Sequence, residues 1–161
     1  MNAEHILQKA NKLNHFSIIK MLISEGLLNY DTIKLIFITA INYGNLELLK
    51  FFIDSGKVDL EVDDNLAIRY SSLSGYTDIV KLLLESDKVS PGANDNFAIR
   101  YSSKHGHTEI VKLLLESDKV DPRVNNNEAI REAVLNGHTE IVELLKNWSK
   151  KWNSNYRQKN L

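Results

Sequence analysis

The chain is expected to fold as an all-α solenoid, a stack of about five short helix-turn-helix units. Three observations lead there. Segments 65–84, 96–115 and 127–145 are near-copies spaced 31 residues apart. Each contains two short runs with apolar residues at helical spacing, separated by Gly75, Gly106 or Gly137. A period between about 20 and 50 residues marks stacked units, none of which buries its apolar face alone.

The register extends towards the N-terminus. Gly44 and the run Asn45-Leu-Glu-Leu-Leu-Lys-Phe-Phe-Ile53 stand 31 residues before Gly75 and its helix. A further copy, Ile18-Ile-Lys-Met-Leu-Ile23, is offset by 30, with Asn14 in the glycine position. The repeats are therefore expected near 2–31, 32–62, 63–93, 94–124 and 125–148, followed by a basic extension, 149–161, that continues as a helical cap and then frays. The end copies are degenerate, as expected where one face must meet water.

Residues 63–93 show how each element is expected to form. Asn65 is a natural N-cap for the first helix. Leu66, Ile68, Ser71 and Ser72 make its narrow inward stripe, and Gly75 closes it in the left-handed conformation. Thr77 is read as the cap of the second helix, with Asp78 at its positive end. Ile79, Val80, Leu82, Leu83 and Leu84 give that helix a broad apolar face. The segment 87–95 then forms a finger, anchored by Val89 and punctuated by Pro91-Gly92. Small residues at Ala40, Ser71, Ser72, Ser102, Ser103 and Ala133 allow neighbouring helices to approach closely.

Composition excludes several classes. The 161 residues contain no cysteine, which removes disulfides and thiolate metal sites. The start of the chain lacks the pattern of a signal peptide, and no apolar run reaches the length of a membrane span, so a cytoplasmic or nuclear protein is expected. The net charge of −1 hides an asymmetry: the last sixteen residues carry +5 and no acid, and the body carries −6.

The runs Gly-His-Thr-Glu-Ile-Val-Lys-Leu-Leu-Leu (106–115), Gly-His-Thr-Glu-Ile-Val-Glu-Leu-Leu (137–145), Gly-Tyr-Thr-Asp-Ile-Val-Lys-Leu-Leu-Leu (75–84) and Gly-Asn-Leu-Glu-Leu-Leu-Lys-Phe-Phe-Ile (44–53) resemble ankyrin repeats. The resemblance spans about residues 2–148. It implies a short inner helix, a longer outer helix and a finger in each repeat, and binding of protein partners through the concave surface. Two features depart from the family pattern. The period is 31 rather than 33, and Thr-Pro-Leu-His is replaced by Leu66-Ala-Ile-Arg69, Phe97-Ala-Ile-Arg100 and Glu128-Ala-Ile-Arg131. Short fingers with little hairpin character are expected. This Asn-x-Ala-Ile-Arg form resembles ankyrin proteins of large DNA viruses and amoebal genomes, for which the partner would be a host protein.

Candidate chemistry is sparse. Arg69, Arg100 and Arg131 form a column that either binds anions or ties each helix to loop carbonyls or to finger acids such as Asp87 and Asp118; the structural role is favoured. His107 and His138 are expected to be loop-bonding, and His5 and His15 are isolated. His105 and His107 lack a third ligand at metal spacing, so neither metal nor cofactor is expected. No nucleophile motif or phosphate-cradling loop is present, and no enzyme is expected.

The inner helices should turn Ile36, Thr39 and Tyr43 outward, followed by Ala67, Tyr70 and Ser74, then Ala98, Tyr101 and His105, then Ala129, Glu132 and Asn136. From these, Tyr43, Tyr70, Ser74, Tyr101, His105, Glu132 and Asn136 are the candidate contacts for a protein partner of a monomeric chain. The alternative is that the rings only pack along their own helices. Finger acids Asp59, Glu61, Asp63, Asp64, Asp95 and Asp121 favour a basic partner. Trp148, Trp152 and Tyr156 recur every four residues among tail lysines and Arg157. They either cap the core or, as the less favoured reading, bind nucleic acid by stacking. A purely structural spacer is the remaining alternative.

Overall fold

Apolar residues at helical spacing and glycines at the turns produce helices alone. The computed structural model describes residues 16–159, and among them there are nine helices and no strand. The outer layer is α1 (Phe16–Ser24), α3 (Leu46–Ser55), α5 (Thr77–Leu84), α7 (Thr108–Leu115) and α9 (Thr139–Lys159). The inner layer is α2 (Tyr30–Asn42), α4 (Val62–Ser74), α6 (Ala93–His105) and α8 (Val124–Leu135). Inner helices pack on the next inner helix, outer on the next outer, and each pair on itself, as a solenoid requires. The expectations on His5, Asn14 and His15, and on the Tyr156 side chain, lie outside the described residues and side chains.

The core runs between the layers. In α2 and α3 it is filled by bulk: Phe37 and Phe52 meet edge to face at 5.5 Å and are fully buried with Ile41 and Leu49. Burying each of these large side chains contributes roughly 2–3 kcal/mol. From α4 onward the inner helices come together over small residues: Ser71, Ser72, Ser102, Ser103 and Ala133 are all buried. Val89 and Val120 anchor their fingers as expected.

The helix starts differ from expectation. Asn65 does not cap its own helix. Asp63, Asp64 and Asn65 all have positive φ, and so do Asn94–Asn96 and Asn125–Asn127. Each inner helix from α4 on is thus entered through a left-handed turn, which Asp and Asn tolerate better than other side-chain-bearing residues. The Asn65 Oδ1 instead accepts the Ser90 N–H at 2.7 Å, and Asn96 Oδ1 accepts the Asp121 N–H at 2.7 Å. The short amide side chain is drawn forward because the left-handed backbone aims it at the next finger. Thr77 likewise makes no side-chain cap; Tyr76 occupies the position before α5.

The arginine column secures these turns. Arg69 Nε donates to the Asp64 carbonyl at 2.8 Å and Nη2 to the Asp63 carbonyl at 2.7 Å. Arg100 repeats this on Asp95 and Asn94, and Arg131 reaches Asn125. The tie to loop carbonyls is present, whereas the ion-pair partner is neither Asp87 nor Asp118. Arg100 pairs with Glu128 of the next repeat at 2.7 Å, and Arg69 lies over the Phe97 ring at the equivalent position.

A second column joins the repeats at the glycines. His107 Nε2 bonds the Leu73 carbonyl and His138 Nε2 the Lys104 carbonyl, each at 3.0 Å; the Tyr76 hydroxyl donates to Asn42 O. Each ring covers the glycine of the preceding repeat. A Cβ on Gly106, at φ +78°, would lie 2.6 Å from His138 Cε1.

Candidate partner-binding groove

The groove is lined by the faces of the inner helices that neither the outer layer nor a neighbouring inner helix covers. Tyr43 follows α2 as its C-cap and is 49% exposed; Tyr70 on α4 is 40% exposed. Ser74, His105 and Asn136 are exposed at the ends of their helices, and Tyr101 and Glu132 are half-buried. Because α2, α4, α6 and α8 pack in sequence, these side chains recur at matching register along one strip.

Four residues expected to face outward do not. Ile36, Ala67, Ala98 and Ala129 are buried. They lie midway along the inner helices, on the side that packs into the stack. Alanine at three of these positions is the small residue that permits the approach.

Tyr101 is the best-anchored member of the strip. Its ring stacks on Phe97 at 4.0 Å and 15°, and on the His105 ring at 6.3 Å and 17°. The Arg100 guanidinium lies 5.7 Å from its centroid. His105 Nδ1 is 2.9 Å from the Tyr101 carbonyl, which fixes the ring along the helix. Phe97 is therefore a groove residue the outward-facing stripe omitted. The spacing of four between Phe97, Tyr101 and His105 was the available signal. The Tyr101 ring packs along its own helix and is half-buried; Tyr43 and Tyr70 are the more open pair.

The charged members are partly committed. Glu132 pairs with Lys104 at 3.4 Å, and the Asn136 amide donates to the Glu132 carbonyl at 2.8 Å. Among the finger acids, Asp63 pairs with Lys34 at 3.0 Å and Asp121 with Arg123 at 2.8 Å, whereas Asp64 and Asp95 are exposed. Burial works to raise the Glu128 pKa, but the Arg100 hydrogen bond and charge outweigh it and hold the carboxyl below its ordinary value.

At the C-terminal end, α9 continues to Lys159, well beyond the length of the other outer helices. Trp148 and Trp152 stack at 6.5 Å and lie against Arg123 of the last finger, whose guanidinium is 3.7 Å from the Trp152 centroid. The indoles lie against the last finger, while at the C-terminal end of α8 Val134 is 60% and Leu135 77% exposed. No helix among the described residues is long and apolar enough to cross a membrane.

A family model described as ankyrin repeats (3 copies) matches residues 6–95 and 86–157. No curated protein matches the chain at a significant level.

Proposed function

The chain belongs to the ankyrin repeat family, and on that premise we propose that it is a non-enzymatic module binding a protein partner through the groove and fingers. Ankyrin repeats are generally protein–protein interaction modules. One observation carries the siting of the contact: Tyr70, Tyr101 and Glu132 hold one register position and Tyr43, Ser74, His105 and Asn136 a second, and all keep accessible surface. Tyrosine supplies large contact area at low entropic cost, and Tyr101 is already immobilised by its stack. The array is assigned to 1–148, with the basic extension at 149–161. The protein is read as a monomer of cytoplasm or nucleus. Its short repeats resemble those of large DNA viruses and amoebal genomes, and for a viral source a host protein is the partner class to seek first.

The test is affinity capture from cell extract with wild type and a Tyr70→Ala, Tyr101→Ala, His105→Ala variant shown by its melting curve to be folded. A protein held only by wild type supports the groove. The same proteins held by both baits would place the contact elsewhere.

A further inference from the structure

A second surface lies away from the tyrosine strip, at the junction of the last finger and α9. It is a cleft of about 360 Å³ whose lining includes Glu116, Asp118, Asp121, Arg123, Trp148 and Trp152. The chain itself shows how this place takes a guanidinium. Arg123 lies over the Trp152 indole and is gripped by Asp121 through two contacts of 2.8 Å. The same grip holds the Asp121 carboxyl below its ordinary pKa.

Two further carboxylates at the cleft, Glu116 and Asp118, are exposed and make no ion pair among the described residues. The nearby Lys119 turns its ammonium to the Asp87 carbonyl of the preceding loop, 3.3 Å away. Indole faces attract cations, and planar guanidinium pairs well with carboxylate.

We propose that this cleft binds an arginine side chain from a basic segment of a protein partner, stacked against the tryptophan pair with its charge met by Glu116 and Asp118. The uncompensated charge of the cleft is negative, which disfavours a phosphate backbone at these indoles and separates this proposal from a nucleic-acid reading of the tail. Equivalent acids one repeat earlier, Glu85 and Asp87, line a cleft with no tryptophan.

The experiment is direct because Trp148 and Trp152 are the only tryptophans in the chain, so emission excited at the red edge, where tyrosine does not absorb, reads this cleft alone. Full-length protein is titrated with hexa-arginine amide, with a hexa-glutamate control and a single-stranded oligothymidine. A saturable emission change with hexa-arginine alone is expected. Glu116→Gln with Asp118→Asn should weaken it roughly tenfold. Glu85→Gln with Asp87→Asn should change it by less than about twofold. The Tyr70→Ala, Tyr101→Ala variant should respond as wild type does, so failure of the groove leaves this result standing. No saturable change, an equal response after neutralising Glu116 and Asp118, or a stronger response to oligothymidine would each overturn the proposal.

Discussion

Helices α2 and α6 hold equivalent positions in the inner layer, yet they begin by different chemistry. At α2 the cap is local: Asn29 Oδ1 accepts the Thr32 N–H at 2.9 Å, three residues on. At α6 the chain enters through three left-handed residues, and Asn96 reaches 25 residues forward to the Asp121 amide. The seams differ to match. Around α2 and α3 the core is held by bulky side chains such as Phe37 and Phe52. From α4 to α8 it is held by small residues, arginine bonds to the turns and rings seated over glycines. In the first region a repeat completes its own helix starts. In the second, the helix starts are tied to the finger of the same repeat and the turn glycines are covered by a ring of the repeat that follows, so stability there rests on contacts distant in sequence.

The sharpest way to test that difference is at the glycines. Gly106 and Gly137 have nearly the same φ, +78° and +75°, but only Gly106 is covered by a following ring. Gly137→Ala is expected to cost about 1 kcal/mol for the left-handed backbone alone. Gly106→Ala is expected to cost about 3 kcal/mol, because His138 must also move. Urea denaturation of both variants measures the gap; equal losses would show that the ring seat contributes nothing.

Next in size is the pair of asparagines. Asn96→Ala strands a finger amide and places alanine at positive φ, a loss of about 2 kcal/mol. Asn29→Ala removes an ordinary N-cap, worth about 1 kcal/mol. Chemical denaturation curves distinguish them, and a larger effect at Asn29 would reverse the contrast drawn between the two regions.

The arginine column gives a pH-dependent test. Glu128 is held below its ordinary value of 4.5 in the folded chain. Its contribution is therefore fully present above that value and is lost as pH falls through the lower folded value. Arg100→Met should cost about 1.5 kcal/mol at neutral pH. It should also flatten the acid limb of the stability profile, measured by thermal melts in buffers spanning that range. An unchanged acid limb would show that the ion pair is not what lowers Glu128.

The smallest effect has the opposite sign. Ser72 and Ser103 place hydroxyls in the seams with no hydrogen-bond partner among the described residues. Ser103→Ala keeps the close approach and removes the unpaired group, so a gain of about 0.5–1 kcal/mol is expected in the melt. A loss would mean that the hydroxyl is satisfied in solution.

The groove was legible in part. Spacing found Tyr43, Tyr70 and His105, which are exposed, because one helix face repeats every three to four residues. It failed at Ala67, Ala98 and Ala129, since a helical wheel knows only its own helix and not the neighbour that closes over it. Phe97 was missed for the related reason that its value comes from the ring it stacks upon. The left-handed turns left a trace in Asp63-Asp64-Asn65, Asn94-Asp95-Asn96 and Asn125-Asn126-Asn127, since three adjacent residues tolerant of positive φ recur at one register. A single capping asparagine was the simpler local explanation.

The sequence by itself determined the period, the all-helical class, the glycine turns and the small residues of the seams. Each follows from local sterics and the burial demand of one repeat, which reads the same in every copy. Tertiary structure alone decided what Asn65 and its equivalents do, and which atoms the arginine and histidine columns reach. Asn65 and His107 meet partners 25 and 34 residues away, brought within hydrogen-bond reach only when the chain has folded back on itself, whereas Arg69 closes its own turn.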